Sequence, residues 1–419
     1  MNAGDVGEGA RSTLAVVLAG GRGSRLRALT ANEAKPSMAF GGKFRVVDFP
    51  LSNCINSGIR RVAVVTQYRA HSLIRHIQRG WNFLRGELGE FVELWPAQQQ
   101  TEAGSWYLGT ADAVYQNLQV IREHGPRYVL ILAGDHVYRQ DYSRLIHAHI
   151  ESGAEVTVSC VEVPRSEATA FGCVDADGTG EIVGFVEKPA DPPAVPGREG
   201  VSYASMGIYV FDIDVLLETL ERDADDESSS HDFGHDIVPS LVGRRKLYAH
   251  PFRESCVLTR GATDPYWRDV GTLDAFWDAN MELISVTPKL DLYDARWPIW
   301  TYQEQRPCAK FVFDDEERRG MAVDSLVSAG CVVSGSTIRR SILFTDTRLN
   351  SYSQITGSLV LPRCDIGRHA RLNKAIVASD CKVPEGIVIG EDAEADRERF
   401  HRTPAGITLV TPAMLEKLR

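Results

Sequence analysis

Between residues 326 and 389, apolar side chains recur at every sixth position, a period that few folds can accommodate. Leu326, Val332, Ile338 and Phe344 are six apart, and so are Leu349, Ile355 and Leu361. Ile366 and Leu372 repeat the step, as do Val383 and Ile389, with slips of one residue between groups. Helices repeat at 3.6 residues and strands at two, so neither period explains the spacing. A hexapeptide β-helix does, because each step turns one corner of a triangular coil. Ser, Gly, Ala and Thr around these positions suit such coils. The competing reading is an antiparallel sandwich with accidental spacing.

The first two-thirds follows other rules. Short apolar runs at 14–19, 62–66, 128–133, 156–163 and 206–211 read as strands buried on both faces. Between them Leu73, Ile74, Ile77 and Trp81 share one helical face, as do Val114, Tyr115, Leu118 and Ile121 behind Thr110, a candidate N-cap. Alternating strands and helices predict a doubly wound, mostly parallel α/β sheet. A last helix near 273–285 closes this part. The expected organisation is a flexible tail at 1–13, a catalytic domain at 14–286, a connection at 287–320, and a β-helix domain with a C-terminal segment at 321–419.

A chain of 419 residues exceeds one ordinary core. Its formal charge of −10 argues against nucleic acid or an acidic membrane face as partner. Anionic small molecules stay open, since local groups hold phosphates. The run after Thr13 is too short for a membrane span and does not read as a signal peptide, and no later run of about 18 apolar residues exists. Cys54, Cys160, Cys173, Cys256, Cys308, Cys331, Cys364 and Cys381 form no C-x-x-C pair. That argues against a zinc site or disulfide framework and fits a reducing cytoplasm.

The sharpest chemical signal is Leu18-Ala-Gly-Gly-Arg-Gly-Ser-Arg-Leu26, directly after the first strand. Glycines there let backbone N–H groups approach a phosphate chain, and Arg25 adds a planar, charged fork. A Rossmann fingerprint needs glycine where Leu26 stands, and a Walker loop needs Gly-Lys-Ser/Thr; neither fits. Lys35-Pro36 brings a second cation ten residues later. Asp135 closes the strand at 128–133, at the carboxyl end where open α/β sheets bind ligands. A carboxylate there, with a second from elsewhere, suits Mg²⁺. Lys188 precedes Pro189, which predicts an extended residue with the Glu187 and Lys188 side chains pointing apart.

Together these motifs resemble the sugar-nucleotide pyrophosphorylases. The glycine loop with Ala34-Lys-Pro36 is their signature. The ADP-glucose branch is indicated by Phe40–Phe49, Leu51–Gly58, Trp106–Val114, Ala133–His136, Phe185–Pro189, Ala204–Phe211 and Tyr266–Gly271, in order and spacing. The resemblance implies an enzyme that makes ADP-glucose, the donor for glycogen synthesis, and pyrophosphate from ATP and glucose-1-phosphate. It further implies a nucleotidyltransferase domain followed by a left-handed β-helix, assembled as a cytoplasmic homotetramer under metabolite control. Ala19, Gly20, Gly21, Gly23, Ser24, Arg25 and Gln98 are implied for the nucleotide, and Tyr107, Gly172, Glu187, Lys188 and Ser205 for the sugar phosphate. Asp135 and Asp269 are implied for Mg²⁺, and Arg25, Lys35, Asp135, Lys188 and Asp269 for catalysis.

Such a reaction is an in-line attack by one phosphate on the α-phosphorus of ATP. The nucleophile is already anionic, so positioning and charge neutralisation suffice and no covalent intermediate is needed. A UTP or dTTP pyrophosphorylase and a non-catalytic regulatory subunit are the alternatives. His231 and His235 sit four apart as metal ligands would, but Gly234 and polar neighbours favour a loop. His147 and His149 read as the exposed side of a helix. Relatives activated by sugar phosphates carry basic residues before Ala-Lys-Pro, where this chain has Asn32 and Glu33; Lys43, Arg45 and 397–402 remain as basic candidates.

Overall fold

The computed structural model describes residues 3–21, 24–31, 33–67, 69–97, 106–315 and 318–418. They fall into two compact units. One comprises Met1–Gly21, Phe49–Trp267 and Ala295–Ile299, the other Arg22–Asp48, Arg268–Asp294 and Trp300–Arg419.

The first unit is built on a nine-stranded sheet. Its strands are β1 (Thr13–Leu18), β2 (Arg61–Thr66), β3 (Phe91–Pro96), β4 (Tyr128–Ala133), β5 (Val156–Pro164), β6 (Gly172–Ala176), β7 (Ile182–Glu187), β8 (Val201–Asp212) and β9 (Leu247–Pro251). The order runs β7-β6-β8-β4-β1-β2-β3, with β5 pairing both β8 and β9. The segment β4-β1-β2-β3 is parallel, with Val16 opposite both Ile131 and Ala63. Leu14 and Val16 share a core with Val114, Leu118 and Ile121, while the fully buried Ala15 and Val17 alternate with them. That is why β1 is an unbroken apolar run, with both faces covered.

Beyond β4 the sheet turns antiparallel, because β8 runs against β4, β5 and β6. Its pairing with β5 shifts register between Ser205 and Tyr209, where Gly207 has φ +66°. Helix His71–Gly80 buries Leu73 and Ile77, with Trp81 just beyond it. The second helical face is divided into Thr110–Tyr115 and Leu118–His124, leaving Tyr115 exposed. Two local expectations fail. The N-cap position is Gly109, and Thr110 instead donates to Asp232 Oδ2 (3.0 Å) and accepts from the Phe233 N–H (3.0 Å). His149 is buried against the sheet, 2.8 Å from Thr157 Oγ1 and 3.5 Å from Asp212 Oδ1, a satisfied core histidine in place of an exposed one.

In the second unit three parallel sheets stack as β-helix coils. Val333, Leu349, Ile366 and Val383 lie in register on one face, and Ile338, Ile355, Leu372 and Ile389 on the next. Ile342, Leu359 and Ile376 line the third. Most steps are seventeen residues, one short of three hexapeptides, which accounts for the slips in the apolar pattern. In the first coils the inward residue is Val333, with Val332 only half-buried. The corners turn through left-handed residues in columns: Gly335, Tyr352, His369 and Gly386 in one, Asp346, Arg363 and Asp380 in another, and Arg340, Gly357 and Lys374 in a third. The eight cysteines are all free, and seven of them are buried. Among the described residues no helix is long and apolar enough to cross a membrane.

Candidate active site

Strand ends present the candidate residues of the first unit. After β1, the Ala19 N–H donates to Val65 O (2.9 Å), holding the start of the glycine loop against the end of β2. A side chain at Gly20 would meet Gln67, whereas Gly21 faces open space. Gly23 and Gln98 lie outside the described residues, as does the Ser24 side chain. After β4, the Gly134 N–H bonds Leu18 O (3.0 Å), and a Cβ there would stand 2.8 Å from that oxygen. Glycine thus allows the chain to cross the end of β1 and present Asp135, whose Oδ1 lies 3.6 Å from His136 Nε2. The His136 ring meets Trp267 edge-on at 5.0 Å, and Trp267 in turn packs against Phe171 at 5.7 Å.

The residues expected at the sugar phosphate converge on β6, β7 and β8. Gly172 faces Glu187 so closely that a Cβ would come within 2.7 Å of Glu187 Oε2. Ser205 stands at the β8 irregularity, its Oγ 3.4 Å from the Tyr209 hydroxyl. Lys188 departs from expectation. Its φ is +47°, in the left-handed region, and its Nζ donates to Glu187 Oε1 at 2.7 Å, so the two side chains meet. The Lys188 N–H still bonds Phe171 O (3.0 Å), and that tie overrides the extended preference before proline. Tyr107 donates its N–H to Gln67 Oε1 (2.8 Å), and its hydroxyl accepts from Asn117 Nδ2 (3.3 Å); burial raises the phenol above its ordinary pKa.

The second unit gathers the remaining catalytic candidates around one carboxylate. Lys35 Nζ lies 2.6 Å from Asp269 Oδ1, and Arg25 Nη2 lies 3.3 Å from Oδ2. Lys35 is almost wholly buried within a short Lys35–Ser37 turn, whereas Arg25 is largely exposed. A Cβ on Gly271 would come within 3.0 Å of Arg25 Nη2 and both Asp269 oxygens. Glycine there lets both side chains fold over the backbone. The carboxylate therefore holds two cations by charge-assisted hydrogen bonds.

Several neighbours escaped the sequence reading. Asp232 and Phe233 bond Thr110, and Phe233 stacks on Tyr209 at 5.6 Å. The backbone at Gly234 also lies against Glu187. No local motif marks this turn. Gln67, by contrast, follows β2 directly and was open to the strand-end rule that singled out Asp135. His231 and His235 each take a carboxylate, Asp223 Oδ2 at 2.8 Å and Asp236 Oδ1 at 2.7 Å. They do not face one another as a ligand pair, and the Asp236 bond raises the His235 pKa.

Comparison with known proteins supplies the family. Residues 14–286 match the nucleotidyl transferase family, the class that the sheet and its glycine loop define. Residues 307–410 match the GlmU-like C-terminal hexapeptide family, consistent with a left-handed β-helix. The chain is 64% identical over 414 residues to a glucose-1-phosphate adenylyltransferase of Rhodospirillum rubrum, covering 99% of this chain and 98% of that protein. A protein of the same name from Methylobacillus flagellatus is 58% identical over 97% of this chain and 94% of its own. A third, from Albidiferax ferrireducens, is 56% identical over 98% and 97%. The chain belongs to the glucose-1-phosphate adenylyltransferase family.

Proposed function

We infer that the chain transfers the adenylyl group of ATP to glucose-1-phosphate, releasing pyrophosphate and forming ADP-glucose. The observation that carries the reading is the meeting of Arg25 and Lys35 on Asp269, beside the glycine loop of a family that does this chemistry. Two polyanions must be brought together, and the cations are already held in place. Arg25 and Lys35 bind the triphosphate. Lys188, released from Glu187, receives the sugar phosphate, while Glu187 and Ser205 hold sugar hydroxyls. The loop Ala19–Ser24 lends N–H groups to the phosphates, and Gln98 reads the base. Tyr107 and Gly172 shape the sugar pocket.

Asp135 and Asp269 are the proposed holders of Mg²⁺. An all-oxygen donor set with few protein ligands suits that ion. Each carboxylate comes with a neighbour suited to the role: Asp135 at the end of β4 beside His136, and Asp269 with Lys35 and Arg25 already drawn to its oxygens. Bound there, the ion supplies charge neutralisation across the phosphates. The domain division at 14–286, 287–320 and 321–419, the homotetramer, the metabolite control and the cytoplasmic location belong to the same reading.

Pyrophosphate release with ATP, UTP, dTTP and GTP, each with and without glucose-1-phosphate, tests it. Release that requires both ATP and glucose-1-phosphate is expected. Preference for UTP or dTTP would reassign the base specificity, and no turnover with any nucleotide would overturn the reading.

A further inference from the structure

We infer that the β-helix positions the Asp269 carboxylate through the helix Leu273–Glu282, so that Thr403 and Trp277 are positioning residues for adenylyl transfer. This rests on the reading that Asp269 works in the metal site.

Only Val270, Gly271 and Thr272 separate Asp269 from the helix, which Thr272 caps by accepting the Ala275 N–H (3.2 Å). Side-chain bonds then fix the helix to other parts of the same unit at three successive turns. In the first turn Asp274 Oδ1 accepts from Thr403 Oγ1 at 2.6 Å. In the next, Trp277 Nε1 donates to Gly357 O at 3.0 Å, with the Lys374 ammonium 5.6 Å from the indole. In the third, Asn280 Oδ1 accepts the Gly41 N–H at 2.9 Å. Gly357 and Lys374 are consecutive members of one corner column, so the seat is a repeating, rigid part of the coil.

The other partner of Asp269 is anchored likewise. The hairpin that follows Lys35 turns at Gly41 and Gly42, and Ser328 Oγ of the coil donates to Gly42 O at 3.0 Å. At Gly42 a Cβ would come within 2.7 Å of Ser328 Oγ, and its φ of +90° also favours glycine. Lys35 and Asp269 thus meet at 2.6 Å with the chain beyond each tied to the β-helix. A misplacement of about 1 Å at a catalytic group can cost on the order of a hundredfold in rate. An anchor on a repeating coil is a direct means of holding that tolerance.

The test compares Thr403→Val, Trp277→Phe and their combination with the unaltered enzyme. A reference variant, Ile355→Val, loosens the β-helix core without touching the helix. Positioning predicts that the Mg²⁺ concentration for half-maximal rate rises roughly three- to tenfold in each of the first two variants, and that kcat falls about tenfold. The KM for glucose-1-phosphate should stay within about twofold, the pattern of an interaction made mainly in the transition state. Amide hydrogen exchange over 268–282 should quicken, a readout independent of turnover. Thr403→Ser should restore the parent values. Unchanged Mg²⁺ dependence and exchange in both variants, or the same effects from Ile355→Val, would overturn the proposal. Asp269→Asn separates the two readings. Normal Mg²⁺ dependence there overturns the metal assignment and this inference with it. Lost dependence there beside an unaffected Thr403→Val overturns the inference alone.

Discussion

Lys188 carries the heaviest local constraint among the sugar-phosphate candidates. A non-glycine residue in the left-handed region is strained by roughly 1–2 kcal/mol, and such strain persists where the surroundings over-determine it. Here the Phe171 carbonyl holds the backbone and Glu187 the ammonium. With the proposed sugar phosphate bound over it, the exposed Lys188 ammonium would become half of a desolvated charge pair, and losing one partner of such a pair costs about 2–5 kcal/mol. Lys188→Gln is therefore expected to raise the apparent constant for glucose-1-phosphate by about one to three decades, with that for ATP much less changed. Initial rates against each substrate measure this, and equal movement of both constants would place Lys188 elsewhere. Asp135 is the sharper catalytic test. It is presented by a glycine that crosses the end of β1, so the isosteric Asp135→Asn should fold normally. If Asp135 holds the proposed Mg²⁺, removing its charge, worth several kcal/mol, should cost about a thousandfold in turnover. Near-normal rates in Mg²⁺ would remove it from the site.

At the scale of elements, β5 and β9 share a buried polar junction whose pH behaviour can be forecast. His250 on β9 lies 2.9 Å from Ser255 Oγ, and Ser255 accepts from Gln140 Nε2, which also reaches Ser159 on β5. The other imidazole nitrogen has no hydrogen-bond partner among the described residues, with Glu254 Oε2 4.0 Å away. Burial lowers the His250 pKa to about 4. An unfolded histidine titrates near 6.5, so below that pH the unfolded chain binds a proton that the folded one refuses. Stability should fall as pH drops from about 6.5 to about 4, and roughly 2 kcal/mol of it should be gone by pH 5. Urea unfolding at pH 7 and pH 5 checks this, and His250→Asn should flatten the difference by that amount. Element-level features were unevenly legible in the sequence. The six-residue step announced the β-helix because its period belongs to no other common element. The run 206–211 announced a buried strand but not its direction, since a strand covered on both faces looks alike either way. Lys188, Thr110 and His149 depart from expectation for one reason: each is held by a partner outside its own local segment, Phe171 O, Asp232 or Asp212, which local preference cannot see. The glycine loop and Asp135 do stand at the ends of β1 and β4 as expected, because backbone geometry alone creates those positions.

At the scale of the whole molecule the question is whether the enzyme answers a sugar bisphosphate. Of the basic candidates, Arg45 and the C-terminal arginines are already engaged. Arg45 sits 3.6 Å from Glu33 and also donates to Ser37 O. Burial pushes the Glu33 carboxyl above its usual range against the pull of Arg45. In the C-terminal cluster Arg399 (3.1 Å) and Arg402 (3.3 Å) hold the fully buried Asp396, and Arg397 pairs with Glu394. That cluster closes its own charge and caps the end of the β-helix, where Asp396 also accepts the Gly390 N–H at 2.7 Å. Asn32 lies outside the described residues. Where Glu33 is ionised, a phosphate about 5 Å from its carboxylate meets a repulsion of up to roughly 3 kcal/mol at an effective dielectric near 20, before the neighbouring Arg45 offsets part of it. A typical allosteric coupling is about 1–3 kcal/mol, so the repulsion is large enough to cancel it. Fructose 1,6-bisphosphate is accordingly expected to change the rate of ADP-glucose formation little. Asn32→Lys with Glu33→Arg should strengthen its effect, since the change removes the repulsion and adds two cations. Rates measured across a bisphosphate titration decide the matter. Strong activation of the unaltered enzyme would mean that the effector is held by groups other than Arg45 and the 397–402 cluster, since binding there would first have to break the Glu33 or Asp396 pairs.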